Sequence, residues 1–172
     1  TRYEDADAQL ERIAGLEREE ATREMQEIYL EPVKEELIAQ RIQEIKAHGV
    51  VAAASLTPQK VERYHEMALQ AGLDILVIQG TVISAEHVSS QGHVLNLKEF
   101  VAELPIPVVL GGCASYHTGL HLMRTGAAAV LVGVGPGAAC TTRGVLGIGV
   151  PQATAVPHLA PARSQHMLGA GG

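Results

Sequence analysis

Two stretches of this chain repeat one pattern, and that repeat restricts the fold more than any other feature of the sequence. Ala71-Gly72-Leu73-Asp74-Ile75-Leu76-Val77 and Thr125-Gly126-Ala127-Ala128-Ala129-Val130-Leu131 both read as a helix end, a glycine and a buried strand. Strands that alternate with helices lie parallel and are joined by right-handed crossovers. The same unit is visible elsewhere. Val50 to Ala54 is a short apolar strand, and Thr57-Pro58 follows as an N-cap with proline at the first helical position. Val61, Tyr64, Met67 and Ala71 mark the inner face of that helix, Gly72 ends it, and Leu73 to Ile78 is a second strand. Asn96 with Glu99 forms a capping box for a helix carrying Phe100, Val101 and Leu104. Pro107 to Leu110 is a third strand, Ser115 starts a helix that Gly126 ends, and Ala127 to Val132 is a fourth strand. The class is α/β, as a doubly wound sheet or a (β/α)8 barrel. In both, ligand-binding loops follow the carboxyl ends of the strands. Ala54-Ser55, Gln79-Gly80-Thr81, Gly111-Gly112-Cys113 and Gly133 to Arg143 occupy such positions and are expected to open on one face.

The residues before Gly49 have a different period. Asp7 is placed to cap a helix with Leu10, Ile13 and Ala14, and a second helix ends at Tyr29 with Met25 and Ile28 at helical spacing. Pro32 opens a third, with Ile38, Ile42 and Ile45 on one face and Gly49 as its C-terminal stop. At 172 residues the chain suits one cored unit, and with 47% hydrophobic but only 3% aromatic residues the core is aliphatic. A net charge of -6 argues against a nucleic-acid partner, because no basic surface is left for phosphates. Most acidic residues precede His48 and none follows Glu103, so an anionic ligand is tolerated best in the second half. Two cysteines make neither a structural zinc site nor a disulfide framework, which suits a reducing cytoplasm. The charged first residues predict no signal peptide. The apolar window Thr125 to Thr142 is interrupted by Gly135-Pro136-Gly137 and bounded by Arg124 and Arg143, which excludes a membrane span.

Chemistry concentrates in Gly133-Val134-Gly135-Pro136-Gly137-Ala138-Ala139-Cys140-Thr141-Thr142-Arg143. Repeated glycines let backbone groups converge on an anion or a metal ion. A cysteine among backbone donors and beside Arg143 ionises more readily than a buried one, as a nucleophile requires. The loop is neither a dinucleotide fingerprint, since no acidic residue follows, nor a P-loop, since it lacks lysine. Cys113 has no base or cation beside it in sequence and reads as structural. His117 and His121 share a helical face without a third metal ligand.

This loop, continued by Gly147-Ile148-Gly149-Val150-Pro151-Gln152-Ala153-Thr154-Ala155-Val156, resembles the active-site loop of the inosine-5′-monophosphate (IMP) dehydrogenase and GMP reductase family. With Gly111-Gly112 upstream, the likeness runs from about Val50 to Val156. Gly149-Val150-Pro151-Gln152 leans to the dehydrogenase side, in the branch without the regulatory CBS insert. The resemblance implies a (β/α)8 barrel, here a partial barrel of about four parallel strands after an N-terminal helical segment, and a homotetramer in the cytoplasm. It also implies NAD-dependent oxidation of IMP to xanthosine monophosphate, in guanine nucleotide biosynthesis, through a covalent adduct. Cys140 matches the nucleophile, and Thr142 a threonine near the reacting centre. Gly111, Gly112, Cys113, Gly133 and Ala138 match nucleotide-binding positions, and Gln79, Gly80 and Thr81 match those that meet the cofactor. The carbonyls of Gly135, Gly137 and Cys140 match ligands of a monovalent cation, usually potassium.

Departures from the family pattern accompany these matches. Ala138 stands where the family has a phosphate-binding serine, Cys113 where it has asparagine, and Gln79-Gly80-Thr81 where it has Asp-Ser-Ser. The flap, the second phosphate loops and the remaining strands have no counterpart, as in a central piece of a barrel enzyme. The expected division is a helical lead-in over 1–49, a partial barrel over 50–156 and an irregular tail over 157–172. A GMP reductase-like enzyme and a non-catalytic or truncated half-barrel subunit are the alternatives.

Overall fold

The computed structural model describes residues 1–80, 86–88 and 94–170. They divide into two units, Thr1–Ala52 with Glu66–Leu73, and Ala53–His65 with Asp74–Gly172.

The first unit is helical. Helices α1 (Ala6–Ala14) and α2 (Arg18–Ile28) are linked by an ion pair between Arg12 and Glu24, and the Tyr3 hydroxyl donates to the Ile28 carbonyl at 3.2 Å. Asp5, not Asp7, caps α1: its carboxylate accepts from Ala8 N–H at 2.9 Å, which leaves Asp7 inside the first turn near the positive end of the helix dipole. Helix α3 (Glu35–Ala47) begins three residues after Pro32, with Glu35 and Glu36 in its first turn. It buries Leu37 and Ile42, and Gly49 follows it at φ +70°.

The second unit is built on four parallel strands, β1 (Ala53–Leu56), β2 (Ile75–Gln79), β5 (Val108–Cys113) and β6 (Ala129–Val132), in the order β1-β2-β5-β6. Each new strand is added on the same side as the one before. That is the order of a barrel wall, and it lacks the reversal that creates the switch point of a doubly wound sheet. β1 starts later than its apolar sequence predicts because it pairs only opposite β2, from Ala53↔Ile75 to Leu56↔Ile78, while Val50 and Val51 are exposed. Between β2 and β5 lies a hairpin of β3 (Glu86–Val88) and β4 (Val94–Asn96), paired antiparallel in a stretch that gave no strand signal.

Burial alternates along the strands. Leu76, Ile78, Val108 and Leu110 are fully buried, whereas Ile75, Val77 and Val109 are half-buried and Ala129 and Leu131 are exposed. The first set forms one aliphatic layer with Val61 of α4 (Pro58–Gln70), Leu97 of α5 (Leu97–Glu103) and Leu122 of α6 (Tyr116–Met123), all likewise buried. The second set forms the opposite face, which in a barrel points to the interior. Local signals agree at the helix starts: the Asn96 side chain accepts from Lys98 and Glu99 N–H, and the Ser115 hydroxyl from Thr118 N–H. The His65 ring meets Phe100 edge-on, with centroids 4.9 Å apart.

The tail is not irregular. After the short α7 (Thr142–Leu146), helix α8 runs from Gln152 to Ala170 with Pro157 and Pro161 inside it. An interior proline costs a helix about 3 kcal/mol, and the sequence has no clear apolar stripe, so local propensity predicts coil. Packing against α6 overrides it. Ala155, Leu159 and Ala162 recur at helical spacing and are buried, and Leu159 lies over Gly119, where a β-carbon would stand 2.9 Å from Leu159 Cδ2. Leu159→Ala should therefore lower the free energy of unfolding by about 3 kcal/mol, read from the urea midpoint. An unchanged midpoint would show that α8 contributes nothing to the core.

Candidate functional site

The carboxyl ends of three neighbouring strands are tied by backbone hydrogen bonds, and the glycine loop leaves from that junction. Gly80 N–H donates to the Gly111 carbonyl at 2.9 Å and Gly112 N–H to the Gly80 carbonyl at 3.1 Å, which joins the ends of β2 and β5. Gly133 N–H donates to the Cys113 carbonyl at 2.7 Å, across the β5–β6 pair. Between Gly111 and Cys113 the register with β6 shifts, so the end of β5 bulges at Gly112. Bulges re-aim a strand end, and this one lies where the loop departs.

The loop then closes on itself. Val134 and Val150 form an antiparallel bridge, with Val150 N–H donating to the Val134 carbonyl at 2.9 Å, so residues 135–149 project as a compact excursion with neighbouring ends. Gly133 and Gly135 take φ +133° and +58°, values that an L side chain rarely adopts, which explains the glycines of the turn. Gln152 braces the base: its Nε2 donates to the Val132 carbonyl at 3.0 Å, and its Oε1 occupies the space beside Gly133 where a β-carbon would stand.

Cys140 is exposed on this excursion. Its N–H donates to the Gly137 carbonyl at 3.2 Å, and its Sγ lies 3.3 Å from Thr142 Oγ1. The neutral thiol donates to that hydroxyl; once ionised, the sulfur accepts from it. The Thr142 hydroxyl first and then the Thr142 N–H hold the thiol below the usual cysteine range; desolvation opposes them, and the Arg143 charge adds the smallest lowering. Cys113 has the opposite surroundings. It is 1% exposed, its Sγ donates to the Leu131 carbonyl at 3.6 Å, and burial pushes its pKa up to about 11.

The expected site residues thus separate. Gly111, Gly112 and Gly133 meet at the junction, with Ala138 and Cys140 exposed on the loop beyond it. Cys113 belongs to the junction through its carbonyl alone, since burial removes its thiol from any ligand. Gln79 is exposed at the end of β2, and its carboxamide, donor and acceptor together, fits the amide of a nicotinamide. The backbone of Gly80 is engaged by Gly111 and Gly112, and Thr81 lies outside the described residues. Of the three carbonyls expected to hold a cation, that of Gly137 is already engaged. Gly137 O already accepts from Cys140 N–H and from Arg143 Nη2, at 3.2 and 3.4 Å, and a carbonyl has two lone pairs. Among the described residues no group of three or more His, Cys, Asp and Glu could hold a metal ion, and no helix is long and apolar enough to cross a membrane.

Gln152 and Gly149 carry structural duties at the site that sequence reasoning did not assign. The only sequence signal was their place in the Gly149-Val150-Pro151-Gln152 run, whose purpose appears once it folds back on the loop. The two thiols give a direct check. At neutral pH iodoacetamide should modify Cys140 and leave Cys113 intact until the chain is unfolded, as read by peptide mass spectrometry. Thr142→Val removes the main cause of the lowered Cys140 pKa, so the thiolate forms at higher pH and alkylation at neutral pH should slow by about threefold.

Comparison with known proteins bears on this geometry. The IMP dehydrogenase / GMP reductase domain matches residues 9–170, further in both directions than the likeness read from the motifs, and the match includes all of α8. An uncharacterized oxidoreductase of Mycobacterium tuberculosis is 45% identical over 168 residues, which is 96% of this chain and 45% of that protein. The inosine-5′-monophosphate dehydrogenase of Pasteurella multocida is 40% identical over 114 residues, covering 66% of this chain and 22% of the enzyme. The crystal structure of an IMP dehydrogenase/GMP reductase-like protein from Corynebacterium glutamicum superimposes with a TM-score of 0.88 at 38% identity, over 99% of this chain and 45% of that one. The chain therefore spans less than half the length of the relatives it matches end to end. With the barrel-ordered parallel sheet and the cysteine loop at its carboxyl edge, these matches show that the chain belongs to the IMP dehydrogenase/GMP reductase family, with a partial (β/α)8 barrel fold.

Proposed function

We propose that this chain carries the nucleophile-bearing part of an NAD-dependent oxidoreductase that converts IMP to xanthosine monophosphate through a covalent cysteine adduct. The observation that carries this reading is the exposed Cys140, held 3.3 Å from Thr142 Oγ1 on a loop anchored to the carboxyl end of the sheet. A thiolate is a strong nucleophile at neutral pH, and covalent attachment divides one difficult substitution into two easier steps.

In this reading the ionised Cys140 Sγ bonds to C2 of the hypoxanthine ring, and the hydrogen at C2 departs as hydride. Oxidised NAD, when bound, supplies the acceptor for that hydride. Water then adds to the remaining thioimidate, releasing product and the thiol. Thr142 Oγ1 donates to the sulfur while it is ionised, before attack and again as it leaves. The junction of Gly111, Gly112 and Gly133 orients the loop, and the exposed Gln79 carboxamide is the group that would position the cofactor amide. Ala138 has no hydroxyl, so the nucleotide phosphate must draw its donors from backbone N–H groups. The second half of the chain, with no acidic residue after Glu103, suits an anionic nucleotide. By the same resemblance the chain is a cytoplasmic protein that assembles as a homotetramer. The Gly149-Val150-Pro151-Gln152 run favours the dehydrogenase over the reductase direction.

Incubation with IMP and NAD should give reduced nicotinamide, followed by absorbance, together with a nucleotide-sized mass increase on the Cys140 peptide. Cys140→Ser should abolish both, and an adduct that hydrolyses slowly should show as a burst of about one equivalent per chain. GMP with reduced NADP is the control for the reductase reaction. Absence of both adduct and turnover with either nucleotide would overturn the reading, leaving a non-catalytic half-barrel subunit.

A further inference from the structure

Arg143 occupies a slot that the loop builds for it. Its stem passes Gly149, where a β-carbon would stand 2.2 Å from Arg143 Cγ and 2.7 Å from Cδ, and then Gly135, where a β-carbon would stand 3.4 Å from Cγ. Any side chain at position 149 would displace the arginine, so that glycine exists for Arg143 rather than for a turn. The Arg143 backbone is held as well, because Gly147 N–H donates to its carbonyl at 3.2 Å as α7 ends at φ +68°. At the far end of the slot Nη2 donates to the Gly137 carbonyl at 3.4 Å, the same oxygen that accepts Cys140 N–H. Among the described residues no carboxylate pairs with Arg143, and the sequence has no acidic residue after Glu103. Its positive charge is therefore spent on the loop.

We propose that Arg143 is the positioning residue of the cysteine loop, its guanidinium serving as a built-in cation on the Gly137 carbonyl, where the family resemblance implies a monovalent metal ion. Arg143 Nη2 and Cys140 N–H donate to the same oxygen, so the Gly137 carbonyl ties the arginine in its slot to the turn that carries Cys140. The turn from Gly137 to Cys140 is thereby fixed. The loop then needs no metal ion at Gly137 to hold its shape. This inference rests on Cys140 being the nucleophile of the proposed reaction, but its test requires no nucleotide, so the two fail separately.

The test measures the rate of Cys140 alkylation by iodoacetamide in the 172-residue chain, at one neutral pH, in potassium chloride and in N-methylglucamine chloride at equal ionic strength. The natural chain should react equally in both salts. Arg143→Met keeps the apolar stem and removes the charge; it should react about fivefold more slowly in N-methylglucamine and recover on addition of potassium or of dilute guanidinium ion. Arg143→Lys should retain most of the natural rate. Far-UV circular dichroism and exchange of the β5 amides, unchanged in both variants, separate a loop effect from unfolding. Exchange at the Cys140 amide should quicken in Arg143→Met alone. A natural chain whose rate depends on potassium, an Arg143→Met rate equal to the natural one, or a slowed rate that no small cation restores would each overturn the proposal.

Discussion

Gly133 donates its N–H to the Cys113 carbonyl at 2.7 Å, and the departure of the cysteine loop from the sheet is set by that bond. It continues the β5–β6 pairing one step past the strand, so a rigid parallel sheet determines where the flexible loop begins. Gly111, Gly112 and Gly80 extend the same junction to β2. A loop that left the sheet without these bonds would have to order its own backbone at about 1–2 kcal/mol per residue. Here the sheet orders the first residues, and the Val134–Val150 bridge with the Gln152 carboxamide orders the return. Precision at Cys140 is thus inherited from the aliphatic layer of Leu76, Ile78, Val108 and Leu110, which itself touches nothing chemical.

The two cysteines show what this inheritance accomplishes. Cys113 ends β5 at the junction and Cys140 lies on the loop beyond it; burial drives the Cys113 thiol up to about 11, while Thr142 and Arg143 draw Cys140 down. One thiol becomes packing and the other an exposed, more readily ionised group because their environments differ, not their chemistry. The charge distribution acts in the same direction. Acidic residues gather in the helical first unit and are absent from the loop's part of the sequence, so no neighbouring carboxylate neutralises Arg143 or repels an anionic ligand.

Local readings succeeded where the deciding interaction is local. Asn96 and Ser115 cap the helices that their sequence positions predicted, Pro58 begins α4, and Gly126 takes the positive φ expected of a helix stop. They failed where the deciding interaction is distant. Val50 and Val51 look like strand, but β1 can pair only where β2 runs alongside. Residues 157–170 look like coil, because two prolines and a weak periodicity hide Ala155, Leu159 and Ala162, whose partners are on α6. One local reading also missed: Asp7 was the expected cap, but it is the Asp5 carboxylate that accepts from Ala8 N–H, three residues on.

By itself the sequence determined the α/β alternation, the glycine loop with its cysteine and the family, because each is written in neighbouring residues and their spacing. Only the tertiary structure decided where β1 begins, that residues 152–170 form a helix packed on α6, and that Gly149 makes room for Arg143. Those outcomes depend on which residues meet across a fold, and burial and close approach are properties of that meeting. No window of sequence contains them.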